Sequence, residues 1–115
     1  MNNEKCIFCK IVQGEIPSTN VFEDEKVIAF LDINPAAPIH ILIIPKEHIS
    51  SVNYLYPEHE EIVGNLFTVG KDLAESHGIA ESGYRLIINT GPDGGQVVYH
   101  LHLHLLGGRK LGPLG

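Results

Sequence analysis

Between Tyr99 and Gly108 the sequence reads YHLHLHLLGG, which sets His100, His102 and His104 in strict alternation with Leu101, Leu103 and Leu105. On extended backbone successive side chains point to opposite sides, so a strand over residues 99–108 would gather the three imidazoles on one face and the leucines on the other. A helix would scatter them, because residues two apart do not share a helical face. Neutral imidazole is a nucleophile and a tunable acid or base, with an unperturbed pKa of about 6.5. One such histidine could attack an electrophilic phosphorus to form a covalent phosphohistidine that water then hydrolyses, while its neighbours balance the developing charge. A strand face carrying three imidazoles and nothing apolar is poor core material, so the trio is read as functional. His59 and His77 stand alone and are read as ordinary surface or core residues.

The rival chemistry for the trio is metal ligation, since histidines two apart on a strand can hold one ion. Cys6 and Cys9 bear on it: with His48 and one histidine of the trio they would complete a Cys2His2 set suited to a structural zinc. His100 is the expected member, because it ends the row and leaves His102 and His104 free. The other reading is a pair of idle thiols on a short helix, behaving as small hydrophobes. Ahead of the trio, residues 90–96 read TGPDGGQ. The unobstructed amides of Gly94 and Gly95 are expected to donate to phosphate oxygens, with Asn89 adding a side-chain donor across the loop.

These groups need a scaffold, and the patterning predicts one. Ile7, Phe8, Ile11 and Val12 fall at helical spacing over residues 6–13, with Gly14 as a stop. Residues 18–23 and 27–33 read as a hairpin pair of strands, followed by the proline-broken loop NPAAP. Residues 40–44, HILII, suggest a central strand covered on both sides and ended by Pro45. A helix over 58–77 follows from the recurrence of Ile62, Leu66, Val69, Leu73 and His77, with Pro57 in its first turn and Gly78 beyond its end. Gly64 and Gly70 inside it could permit close packing on a sheet or a partner helix. Residues 84–89 form a fourth strand, antiparallel to the histidine strand that follows. Helix, strands, helix, strands without regular βαβ alternation predicts an α+β domain with a mostly antiparallel sheet of about five strands.

The chain has 115 residues, enough for one domain over 1–115 with a real core. Its net charge of −6 argues against nucleic-acid and membrane-surface partners, which need a basic patch. With only eight Lys and Arg, a phosphate-bearing small molecule would be neutralised by backbone amides and histidines. The N-terminal stretch shows neither a signal peptide nor a membrane span, so a cytoplasmic location is expected and Cys6 and Cys9 are expected as thiols or metal ligands.

The segments IFCKIVQGEIP, FEDEKVIAFLDINPAAPIHILIIPKEHI, YRLIINTGPDGGQ and HLHLHLLGGR together resemble the histidine triad family, in its Hint-like nucleotide-hydrolase branch. The resemblance implies the family's HIT fold and a homodimer in which two five-stranded sheets join. It implies that His102 is the nucleophile, that His104 contacts the α-phosphate, and that the His100 carbonyl orients His102 while its side chain ligates zinc in relatives carrying the CxxC. His40 corresponds to a fourth histidine near the site. Asn89, Gly95, Gln96 and Val97 match the phosphate-binding segment, and Asp32 the carboxylate that accepts from the ribose hydroxyls. Ile7, Phe8, Ile11, Ile16, Phe30 and Ile33 match the apolar slot for a purine, although on their own they read as core. Asp32 alone would read as a turn residue. The activity implied is hydrolysis of purine nucleoside 5′-phosphoramidates or acyl-nucleotides with no catalytic cofactor. Alternatives are dinucleoside polyphosphate hydrolysis and a non-catalytic nucleotide-sensing module. Val97 stands where some members carry a serine, and the C-terminus GGRKLGPLG lacks the tryptophan of some relatives.

Overall fold

The computed structural model describes residues 5–114. Five strands, β1 (Asn20–Glu23), β2 (Val27–Leu31), β3 (Ile39–Pro45), β4 (Tyr84–Ile87) and β5 (Leu103–Gly107), form one sheet in the order β1-β2-β3-β5-β4. Every pairing is antiparallel, as expected for an α+β chain without βαβ units. Two helices accompany it, α1 (Ile7–Val12) and α2 (Glu60–Ser76). No helix among the described residues is long and apolar enough to cross a membrane.

The period-two alternation of each strand sorts the sheet into two faces. Val27, Ala29, Ile41, Ile43, Leu103 and Leu105 turn towards Leu66, Val69, Leu73 and Ala74 of α2 and form the main core. Ile28, Phe30, Leu42 and Ile44 turn the other way and pack with Phe8 of α1. This is why HILII carries no polar alternation after His40: Ile41 through Ile44 are buried on both faces. Gly70 lets α2 lie close, since a Cβ there would stand 3.3 Å from Ile43 Cδ1 and 3.4 Å from Leu86 Cδ2. Gly64 has no such part, because nothing lies within 4 Å of the Cβ it lacks.

Both helices stop where glycine permits a left-handed turn. Gly14 (φ 77°) and Gly78 (φ 75°) follow the caps. Around Gly14 the Glu15 amide reaches Lys10 O at 2.8 Å and the Gly14 amide reaches Ile11 O at 3.0 Å. The same paired bonds recur after α2, Ile79 to Ala74 O and Gly78 to Glu75 O. The start of α2 differs from the expected 58–77, because Pro57–His59 winds first as a 3-10 turn. There the His59 ring accepts the Tyr56 amide at 3.0 Å, so this buried histidine is a helix-start brace. His77 is likewise structural, its Nδ1–H donating to Leu73 O at 2.9 Å.

The largest departure from the sequence reading concerns the histidine segment. Only Leu103–Gly107 is strand, so of the three histidines His104 alone lies in the sheet ladder. The ladder between β3 and β5 ends at Ile43↔Leu103, next to Pro45, which has no amide hydrogen to extend it. The Leu101 amide bonds instead to Ile49 O at 2.6 Å, and the Pro45 carbonyl is taken by the His100 ring. Side-chain alternation nevertheless persists: Leu101, Leu103 and Leu105 all enter the main core, and the histidines face the other way.

Candidate active site

Along the three histidines burial falls in steps: His100 and His102 are buried and His104 is half-buried. The rings are packed by Phe8, which meets His102 edge-on at 5.1 Å and His100 at 5.9 Å between centroids, and His102 stands 4.9 Å from His104. Hydrogen bonds assign the ring protons. A carbonyl only accepts, so the contact of 2.7 Å between His102 Nδ1 and His100 O places the proton on Nδ1 and leaves the lone pair on Nε2. By the same reasoning His100 donates from Nε2 to Pro45 O at 2.8 Å and keeps its lone pair on Nδ1.

That His100 Nδ1 points into a cluster with Cys6, Cys9 and His48, whose ligand atoms all lie within 4.8 Å of one another. Cys6 Sγ and Cys9 Sγ stand 3.4 and 3.6 Å from His100 Nδ1, and Cys9 Sγ stands 3.3 Å from His48 Nδ1. Thiolate and imidazole ligands at zinc distances and tetrahedral angles stand about 3.5 Å apart, so the spacing suits such an ion. The surroundings suit it as well. The His100 ring is oriented by the Pro45 carbonyl, His48 Nε2 lies 3.4 Å from Ser50 Oγ, and Cys6 Sγ accepts the Cys9 amide at 3.4 Å. The four residues could therefore hold a metal. Burial raises the Cys6 thiol pKa above 9.0, so loading an ion there displaces a proton and grows more favourable with rising pH.

On the other side of His102 lies a second group. His40 Nε2 stands 3.0 Å from His104 Nδ1 and 3.4 Å from Asp32 Oδ2, while the Ala36 amide donates to His40 Nδ1 at 3.0 Å. Asp32 also accepts the Asn34 amide at 2.8 Å, so the turn role considered from sequence is real and the Oδ2 side faces the histidines. Burial is the first cause lowering the pKa of His40 and of His102 below 6.5. His104 is pushed down to about 4, by burial first and then by His102 and His40. These imidazoles are neutral at pH 7. Because His104 protonates at 6.5 in the unfolded chain and at about 4 in the fold, the unfolded state binds more protons between those values, and His40 and His102 act in the same direction. Stability is therefore full above pH 6.5 and falls as pH drops towards 4. For half-exposed His104 the expected slope is well under ~1.4 kcal/mol per pH unit because solvent screens it. Urea unfolding at pH 7.0, 5.5 and 4.5 measures the loss, and the His104→Gln variant should flatten it.

The sequence profile of the HIT domain matches residues 13–111. The chain belongs to the HIT family. It is 57% identical over 111 residues to the purine nucleoside phosphoramidase of Escherichia coli, spanning 96% of this chain and 93% of that protein. A 14 kDa zinc-binding protein of Zea mays is 52% identical over 113 residues, spanning 96% of this chain and 88% of its own. The HIT family hydrolase of Clostridium thermocellum has a solved structure that superposes with a TM-score of 0.95 at 53% identity, covering 98% of both chains. Cys6 and Cys9 precede the segment matched to the HIT domain, so the case for the metal cluster comes from this chain's geometry.

The remaining expected residues divide. Phe8 and Phe30 meet edge-on at 5.5 Å inside the second core, with Ile11 packed against it. Ile16 is half-buried, and Ile33 is 91% exposed beside Asp32. Ile7 does not join the Phe8 cluster; it lines a shallow depression with Cys6, His48, Val97 and Tyr99. The Gln96 side chain is tied into the loop and its neighbours. It accepts the Gly91 amide at 3.0 Å and donates to Ser50 O at 2.8 Å and Val98 O at 3.1 Å, which occupies both ends of the carboxamide. The Gly95 amide, expected on phosphate, bonds to Pro92 O at 3.1 Å, and Asn89 Nδ2 donates to Gly94 O at 2.8 Å. Loop 90–96 is thus braced from within. Gly95 adopts φ 81°, a conformation that disfavours other residues, and the Val97 side chain is exposed. Sequence reasoning missed the Pro45 carbonyl, the Ala36 amide and Arg109, whose Nη2 donates to Ala36 O at 2.9 Å. Main-chain groups leave no trace in residue identity.

Proposed function

We propose that this HIT protein hydrolyses purine nucleoside 5′-phosphoramidates or acyl-nucleotides, releasing a nucleoside monophosphate. One observation carries the reading: the His102 Nδ1–H bond to His100 O at 2.7 Å, which leaves a buried, neutral imidazole with its lone pair on Nε2. The name of the Escherichia coli relative, purine nucleoside phosphoramidase, and that of the Clostridium thermocellum hydrolase support it. At this level of identity the protein is a nucleotide hydrolase.

In the proposed reaction His102 Nε2 attacks the α-phosphorus as the bond to the leaving nitrogen or oxygen breaks. The leaving group takes a proton from water, since Val97 supplies no hydroxyl. The attached imidazole gains positive charge, which the His100 carbonyl on Nδ1–H stabilises, with Asp32 close by. Water then attacks phosphorus and gives up its proton to the hydroxide left by the first step, the P–Nε2 bond breaks, and the neutral imidazole returns. His104 meets the α-phosphate, Phe8, Phe30, Ile11, Ile16, Ile33 and Ile7 border the base, and Asp32 accepts from the ribose. Asn89, Gly95, Gln96 and Val97 form the loop beside the phosphate, with Gln96 as its internal brace. Zinc is the ion proposed for Cys6, Cys9, His48 and His100, in a structural capacity, and the reaction as written draws on no cofactor. The homodimer belongs to the same reading; β1 and β4 are the sheet edges from which two five-stranded sheets could join.

The test is a parallel assay of the purified protein on an adenosine 5′-phosphoramidate and a diadenosine polyphosphate, with AMP binding followed by calorimetry. Faster AMP release from the phosphoramidate is expected. Preference for the polyphosphate would redirect the substrate assignment, and tight AMP binding without any turnover would make the protein a nucleotide-sensing module.

A further inference from the structure

A chain of three contacts outside the nucleophile's own hydrogen bond leads to His104. The Ala36 amide donates to His40 Nδ1 at 3.0 Å, His40 Nε2 lies 3.0 Å from His104 Nδ1, and the Arg109 guanidinium holds the Ala36 carbonyl at 2.9 Å. An imidazole nitrogen that accepts an amide hydrogen has its lone pair in use, so the proton of neutral His40 must sit on Nε2. That N–H has His104 Nδ1 at 3.0 Å and Asp32 Oδ2 at 3.4 Å; a second N–H on His104 Nδ1 would oppose it at the shorter contact, so Nδ1 accepts and the proton of His104 is left on Nε2. Ala36 lies in the loop NPAAP, where flanking prolines restrict the backbone, and Arg109 holds the carbonyl of the same residue, one peptide unit beyond its amide.

We propose that Ala36, clamped by Arg109 at its carbonyl, is a tautomer lock: acting through its amide on His40, it keeps His104 as an Nε2–H donor towards the substrate's α-phosphoryl oxygens. His40 and Arg109 are positioning residues, since neither is placed on the substrate. The inference rests on the hydrolase reading only in assigning the phosphoryl oxygen as the acceptor. It also accounts for a second grouping of potential metal ligands, Asp32, His40 and His104. An ion there would need the lone pair of His40 Nε2, which the Ala36 amide has converted into an N–H, so the trio is a proton-ordered network instead of a metal site. A phosphoryl oxygen is an acceptor only, and a fixed donor meets it without the tautomer exchange a free imidazole would require.

The readout that a purely structural role would not move is the tautomer itself. Long-range proton–nitrogen correlation spectra of nitrogen-15 histidine-labelled protein at pH 7.5 are expected to show the Nε2–H pattern for His40 and His104 and the Nδ1–H pattern for His102. In His40→Asn, the His104 signals should move to averaged tautomers and kcat/KM on an adenosine phosphoramidate should fall about tenfold, the size of one lost hydrogen bond. The His102 pattern and metal content should be unchanged. Should His40→Asn fail to fold, Arg109→Met is the second variant. It is expected to loosen the lock, with His104 partly averaged and a two- to threefold loss, roughly, and Arg109→Lys is expected to restore both.

An Nδ1–H pattern for His104 in the unsubstituted protein would overturn the lock, as would His104 staying an Nε2–H donor in both variants. Zinc titration that selectively shifts His40 and His104 would also overturn it. Correct tautomers with no turnover of any phosphoramidate would leave the lock standing and remove the hydrolase reading; brisk turnover with the wrong tautomer would do the reverse.

Discussion

His102→Ala is expected to lower kcat on an adenosine 5′-phosphoramidate by about 10⁴-fold or more, with AMP affinity little changed. No neighbouring ring can stand in for it. The His100 lone pair on Nδ1 faces Cys6 and Cys9 in a fully buried position, and the His104 lone pair on Nδ1 faces His40. The loss therefore reads on the chemical step and not on binding. Stability should fall by about 1–2 kcal/mol, because the ring also fills space against Phe8. Steady-state kinetics and urea unfolding separate the two effects. Rapid-quench mass spectrometry should find a nucleotide adduct on the parent protein and none on the variant. Retention of parent-level turnover would remove His102 as the nucleophile.

Removing the metal-ligand set is expected to give the second largest effect, and it should appear in stability before it appears in rate. Cys6→Ser with Cys9→Ser should abolish stoichiometric zinc and cost about 4 kcal/mol of unfolding free energy, the linkage expected from a ligand present at about a thousand times its Kd. The domain should still fold, because the main core between α2 and the sheet lies on the opposite face from α1. A secondary loss of kcat, about 10- to 100-fold, should follow. Its route is a single residue: His100 joins the cluster through Nδ1 and orients His102 through its carbonyl. Metal analysis, urea unfolding and the His102 tautomer spectrum check each link separately. Unchanged stability together with unchanged zinc content would dismiss this ligand set.

Much of the fold was legible because short-range physics carries it. Gly14 and Gly78 mark helix ends through backbone freedom that other residues lack, and both ends lie there. Short apolar runs rich in β-branched residues, VIAFL and HILII, marked strands, and their order without crossover helices implied an antiparallel sheet. The histidine row misled in one respect. Its alternation is that of a strand, yet whether a strand is paired depends on the neighbour's donors, and Pro45, dozens of residues away, withholds one.

The site divides in the same way. Residue identity and spacing made His100, His102 and His104 the reactive face, suggested that Cys6, Cys9 and His48 would close around one end of it, and pointed to the family. Which nitrogen of each ring carries the proton lay beyond that reading, because the partners are main-chain groups common to every residue: Pro45 O for His100, His100 O for His102 and Ala36 N–H for His40. Likewise the resemblance put Gln96 in the phosphate-binding segment, and only the fold shows that its side chain makes three internal hydrogen bonds there. A side chain's chemistry is local and can be read along the chain. Its tautomer, its pKa and its freedom to meet a substrate depend on atoms brought within about 3 Å by folding.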